Sequence, residues 1–69
     1  MEQRLRALKQ TREARFMTQA ELAQKSGVSR ATIARLEQNE GGARFDTIRK
    51  LAEALDVQPS ELVGTAPTA

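Results

Sequence analysis

Residues 18–39 read TQAELAQKSGVSRATIARLEQN, and two short helices with a tight turn between them can be read from this stretch alone. Thr18 and Glu21 stand three apart ahead of an apolar position. At that spacing a hydroxyl and a carboxylate satisfy free backbone amides at a helix start, so a helix from about Gln19 to Ser26 is expected. Gly27 ends it, because glycine reaches the left-handed conformation without a steric penalty. Ser29 is placed to cap a second helix, about Arg30 to Gln38. Counted from Gln19 as position one, Ala23 falls fifth, Gly27 ninth and Ile33 fifteenth. A small side chain at the fifth position lets the helices approach, and an apolar wedge at the fifteenth holds the second helix at a steep angle. Leu22, Val28 and Leu36 supply apolar contacts around that wedge.

Agreement of all three restricted positions makes this hairpin a helix-turn-helix over residues 19–38 rather than a generic pair of helices. Outward from it, residues 2–15 place Leu5 and Leu8 three apart among Arg, Lys and Gln, the pattern of an amphipathic first helix ending near Phe16. After the glycines of residues 39–43, Phe45, Ile48, Leu51, Ala52 and Leu55 recur at helical spacing and mark a fourth helix. A short fifth helix starts in the segment from Val57 to Leu62, with Pro59 where a missing amide does no harm. The reading is therefore all-α, five helices in one domain over residues 1–64, with a flexible tail at 65–69.

Composition narrows the function. A chain of 69 residues holds one small core. The absence of cysteine and histidine removes disulfides, thiolate and imidazole metal sites and the commonest nucleophile and general base. No catalytic residue, metal or cofactor is expected, and an enzyme is the weakest reading. Apolar runs of only two or three residues leave no membrane span and no signal-peptide core, so a cytoplasmic, nucleoid-associated location is expected. The net charge of +2 is unevenly spread: residues 1–35 carry eight Lys/Arg and three acids, or +5, whereas residues 36–69 carry three and six, or −3. A basic half within one small domain is the electrostatic footprint of a polyanion partner.

Residues 18–39 resemble the helix-turn-helix of lambdoid phage repressors and Cro, the xenobiotic-response-element (XRE) family of regulators. The likeness continues through FDTIRKLAEALDVQPSEL at 45–62 and covers about Leu5 to Val63. It implies a compact five-helix bundle of the phage-repressor type and a sequence-specific regulator of transcription, expected to be a repressor, bound to double-stranded DNA. In such a motif the second helix enters the major groove, so Arg30, Ala31, Thr32 and Arg35 are the expected base contacts. Arginine suits the O6 and N7 acceptors of guanine, and Ala31 and the Thr32 methyl suit a thymine methyl. Thr18, Gln19, Ser29, Asn39 and Arg44 are the expected phosphate contacts. The family also pairs an arginine late in the first helix with a glutamate late in the recognition helix, and Arg12 and Glu37 occupy those places.

The sequence departs from the family at three points. Phe16 stands where a glycine often ends the first helix, so that turn is either built differently or gains a core anchor. The loop Gln38-Asn39-Glu40-Gly41-Gly42 lacks the usual basic residues, which weakens phosphate contact there. Arg44 replaces a capping Ser or Thr, at some cost to the start of the fourth helix. A lone domain reads few base pairs, so a homodimer on two half-sites about one helical turn apart is expected. Leu62 and Val63 either help form its interface or belong to the core. Antitoxins, restriction-modification controllers and phage lysogeny switches share the fold, which leaves open a further protein partner, a toxin or an antirepressor. A protein-interaction module without DNA binding would instead carry an acidic or apolar outer face on its third helix. Arg30 and Arg35 argue against that, and Glu40 leaves room for it.

Overall fold

In the computed structural model, which describes residues 3–38 and 40–63, five helices follow one another: α1 (Leu8–Ala14), α2 (Gln19–Ser26), α3 (Arg30–Glu37), α4 (Phe45–Leu55) and α5 (Pro59–Val63). No strand occurs among the described residues, where a single antiparallel bridge joins Gln3 to Ala43. Asn39 and the segment from Gly64 to Ala69 lie outside the described residues, and with them the expected phosphate contact at Asn39 and the expected tail at 65–69.

Local chemistry accounts for the limits of α2 and α3. The Thr18 hydroxyl accepts from the Glu21 amide at 3.0 Å while the Glu21 carboxylate accepts from the Thr18 amide at 2.8 Å, so two otherwise orphaned donors are satisfied. Gly27 ends α2 in the left-handed region at φ +77°. Ser29 caps α3 by accepting from the Thr32 amide at 3.2 Å. Gln38, expected as the last helical residue, is the C-cap instead.

The first helix departs from expectation more widely. It starts at Leu8 rather than near Glu2, because the preceding segment is tied to other parts of the chain: Gln3 pairs with Ala43, and the Ala7 amide donates to the Leu62 carbonyl at 3.0 Å. Leu5 and Leu8 are both buried, but a spacing of three suits a turn leading into a helix as well as a helix. Phe16 is not a core anchor. It is 94% exposed and sits at φ +57°, so the turn after α1 is made with a bulky residue in the left-handed region.

Every helix contributes to one apolar cluster. Leu8, Leu22, Ile33, Leu36, Leu51, Leu55 and Leu62 are fully buried, one or two from each helix, and Leu5 joins them from the arm before α1. Each such side chain contributes roughly 1.5–3 kcal/mol of burial. Leu62 thus belongs to the core, and Val63 packs partly buried at its edge. Among the described residues no helix is long and apolar enough to cross a membrane.

A bulky residue held in the left-handed region costs on the order of 1–2 kcal/mol, and the exposed Phe16 ring returns almost no burial. Phe16→Gly is therefore expected to stabilise the fold by about 1 kcal/mol, raising the melting midpoint by roughly 4–8 °C for a domain of this size. A thermal melt followed by circular dichroism checks it; an unchanged or lowered midpoint would contradict the strain at this turn.

Candidate nucleic-acid interface

Successive residues of a helix are turned by about 100°, which places Ile33 and Leu36 on one side of α3 and Ala31 and Arg35 on the other. Ile33 and Leu36 are fully buried, whereas Arg30, Ala31 and Arg35 are exposed and Thr32 is half-buried between the two faces. The outward face is therefore small and cationic. An α-helix with side chains is about 10–12 Å across, close to the roughly 12 Å width of the DNA major groove.

Two helix starts frame this face. At the head of α3 the Ser29 hydroxyl donates to Thr32 Oγ1 at 2.8 Å while its oxygen accepts the Thr32 amide. The proton of Ser29 is engaged, and the donor left over is the Thr32 hydroxyl. At the head of α2, Thr18 is exposed and its oxygen serves the capping box. Gln19 is half-buried and donates from Nε2 to Glu37 Oε1 at 2.9 Å. The first-turn amides of α2 point out of the helix, as amides at any helix start do.

Glu37 is the hub of a polar network. Arg12 donates to it twice, from Nε to Oε2 at 2.6 Å and from Nη2 to Oε1 at 3.0 Å, and from Nη1 to the Met17 carbonyl at 2.7 Å. The two side chains retain only 11% and 3% of their exposure. Burial pushes the Glu37 carboxyl up, but the hydrogen bonds from Arg12 and Gln19 and the charges of Arg12 and Lys9 outweigh it and hold the group below the ordinary carboxylate range. The hydrogen bond with Glu37 raises Arg12 against the opposing effect of burial.

On the other flank of α3, Arg35 Nη1 donates to the Glu40 carbonyl at 2.8 Å. Arg44 is the N-cap of α4, exposed and without a side-chain capping bond. Arg35, Arg44 and Thr32 line a shallow polar hollow that also takes in Asp46 and Thr47. Sequence reasoning missed the Met17 and Glu40 carbonyls and the Gln3–Ala43 pairing. Backbone acceptors leave no trace in residue type, and the only hint was the adjacent pair Gly41-Gly42.

A protein-family model described as helix-turn-helix matches residues 8–62. The chain belongs to the XRE-type helix-turn-helix family. It is accordingly a DNA-binding helix-turn-helix protein of transcription regulation. Among solved structures, the restriction-modification controller protein C.AhdI from Aeromonas hydrophila is similar at 35% identity, over 83% of this chain and 86% of that one, with a TM-score of 0.78. No curated protein matches the sequence.

Removing one partner of a buried, hydrogen-bonded pair strands the other. Arg12→Ala in this helix-turn-helix protein is expected to cost about 3–5 kcal/mol at pH 7, and Arg12→Met with Glu37→Leu to recover most of that. The depressed Glu37 pKa stabilises the fold fully above the unfolded value of about 4.3, and this is lost as the pH falls through the lowered folded value. Arg12, raised, stays protonated in both the folded and the unfolded chain across that range and adds no pH dependence of its own. Denaturant titrations from pH 7 to 2 should therefore show a shallower acid decline for Glu37→Gln than for the parent chain; identical declines would contradict the network.

Proposed function

We propose that the chain is a sequence-specific repressor that sets α3 into the major groove and acts as a homodimer on an operator of two half-sites. One observation carries the reading: α3 is locked to the core by Ile33 and Leu36 and turns Arg30, Ala31 and Arg35 outward. A protein-interaction module of this fold would carry an acidic or apolar face there.

The roles follow from the donors each residue has left. Arg35 and Arg30 read guanine edges, and Ala31 and the Thr32 methyl meet a thymine methyl. Gln19, already oriented by Glu37, offers its second amide hydrogen and the first-turn amides of α2 to one phosphate, with Thr18 beside it. Arg44 holds a second phosphate from the head of α4. Ser29 acts chiefly through the Thr32 hydroxyl that it orients. The homodimer forms away from α3, on the apolar patch where Phe45, 59% exposed, stands with Pro59 and the half-buried Val63. The likeness to C.AhdI over most of both chains favours control of restriction-modification genes over an antitoxin role. The protein then acts in the cytoplasm, where those genes are transcribed.

Selection of bound fragments from random duplex DNA tests this reading in one experiment. Two related half-sites about one helical turn apart, each with guanine, are expected; recovery of unselected sequence would overturn it. Arg35→Ala should cost about 1–3 kcal/mol and relax preference at one position per half-site, whereas Gln19→Ala should weaken all sequences alike. Phe45→Glu should leave half-site binding intact and abolish the gain from the second half-site, measured by titrating full and half operators. Loss on both duplexes alike would place Phe45 outside the dimer contact.

A further inference from the structure

The outward guanidinium of α3 is held by the loop that follows the helix. Arg35 Nη1 donates to the Glu40 carbonyl at 2.8 Å, and the Glu40 amide donates back to the Arg35 carbonyl at 3.1 Å, closing a local ring. Gly41, at φ +93°, lies so near this guanidinium that a Cβ on it would come within 2.9 Å of Nη1. The loop is anchored from behind. Gln3 and Ala43 exchange both backbone hydrogen bonds, at 3.0 and 2.8 Å, and a Cβ on Gly42 would meet the Gln3 backbone at 3.0 Å. The acceptor that Arg35 leans on is thus part of a braced surface.

We propose that the Glu40–Gly41 loop is the positioning element for base readout, fixing which edge of Arg35 faces the DNA. Guanine O6 and N7 accept two parallel N–H bonds. A guanidinium offers such a pair either from its two terminal nitrogens or from Nε and Nη2. With one hydrogen of Nη1 given to the Glu40 carbonyl, Nε and Nη2 form the edge that keeps all its donors, and the side chain is ordered before DNA arrives. Gly41 touches no base. It acts by leaving room for Nη1, so an L side chain at this position tilts the fork away from its acceptor. The inference rests on the DNA-binding reading above and adds to it a determinant outside α3.

The test compares base preferences, by selection from random duplexes and titration of single-base operator variants, for the parent chain, Arg35→Ala, Gly41→Ala, the double substitution, and a synthetic chain with D-alanine at position 41. D-alanine takes positive φ without strain and carries its methyl on the other side of the Cα, away from Nη1. Gly41→Ala is expected to lower the preference for guanine about tenfold at the one position that Arg35→Ala erases, leaving other positions unchanged. The D-alanine chain should keep the preference within about twofold. In the Arg35→Ala background, Gly41→Ala should change nothing further. Three results would each overturn the positioning role: a preserved preference in Gly41→Ala, a uniform loss across sequences in a chain whose thermal melt is intact, or equal loss with D-alanine. If Gly41→Ala does not fold, Gly41→Asn takes its place, because asparagine tolerates positive φ and still carries the Cβ that meets Nη1. The same tenfold loss at the same guanine is then expected, and a preserved preference overturns the role equally. A parent chain that selects no sequence removes the DNA-binding reading itself, a result distinct from all of these.

Discussion

A carboxylate that has lost its water must find donors, and Glu37 takes them from two other helices. Arg12 reaches it from α1 with two bonds and spends its remaining terminal nitrogen on the Met17 carbonyl in the turn, while Gln19 reaches it from the start of α2. One residue at the end of α3 therefore ties together α1, the turn and α2. The leucines and Ile33 supply the burial energy, which is non-directional. The network adds direction, because a two-bond contact between a guanidinium and a carboxylate tolerates little rotation. With Ser29 and the Gly27 turn fixing its other end, α3 has both termini held, and the outward face of Ala31 and Arg35 is a consequence of that clamping.

The same network joins stability to the candidate interface. Gln19 is at once a donor to Glu37 and the first residue of α2, so a structural bond sets the direction of a side chain assigned to phosphate. Arg35 stands in a parallel position on the opposite flank, where its guanidinium rests on the Glu40 carbonyl and the loop behind it is braced by Gln3 and Ala43. Side chains ordered in advance lose less freedom on binding. The outward face of α3 is thus supported at both edges by groups that never point outward themselves.

The parts of this arrangement that were legible in the sequence are those decided locally. The capping box at Thr18 and Glu21, the left-handed Gly27 and the Ser29 cap are each settled within four residues, and the limits of α2 followed from them. The beginning of α1 was not legible, because whether the segment around Leu5 is helical depends on Ala43 and Leu62, far along the chain. Phe16 stayed open for a related reason: a large apolar side chain suits a core anchor as well as a turn built without glycine, and the structure takes the second, its backbone making the turn that leads into Thr18. Arg12 and Glu37, 25 residues apart, came from the resemblance to the family and not from any periodicity. The Glu40 carbonyl was invisible to sequence reasoning, since every residue type carries the same backbone acceptor.

The distribution of charge bears on how such a protein discriminates among sequences. Its net charge is only +2, with the excess of base in residues 1–35 offset by acids in residues 36–69. Non-specific affinity for DNA grows with the number of phosphates neutralised and falls steeply with salt, so on the proposed reading the acids of residues 36–69 temper what the basic half gains from unselected DNA. Contacts to base edges then make up a larger share of the total, and specificity, a ratio of affinities, rises as the shared electrostatic part shrinks. On the proposed reading, a small protein that limits its own charge leans more heavily on the few side chains assigned to bases, which makes the holding of Arg35 by the Glu40 carbonyl more consequential than it would be on a strongly basic surface.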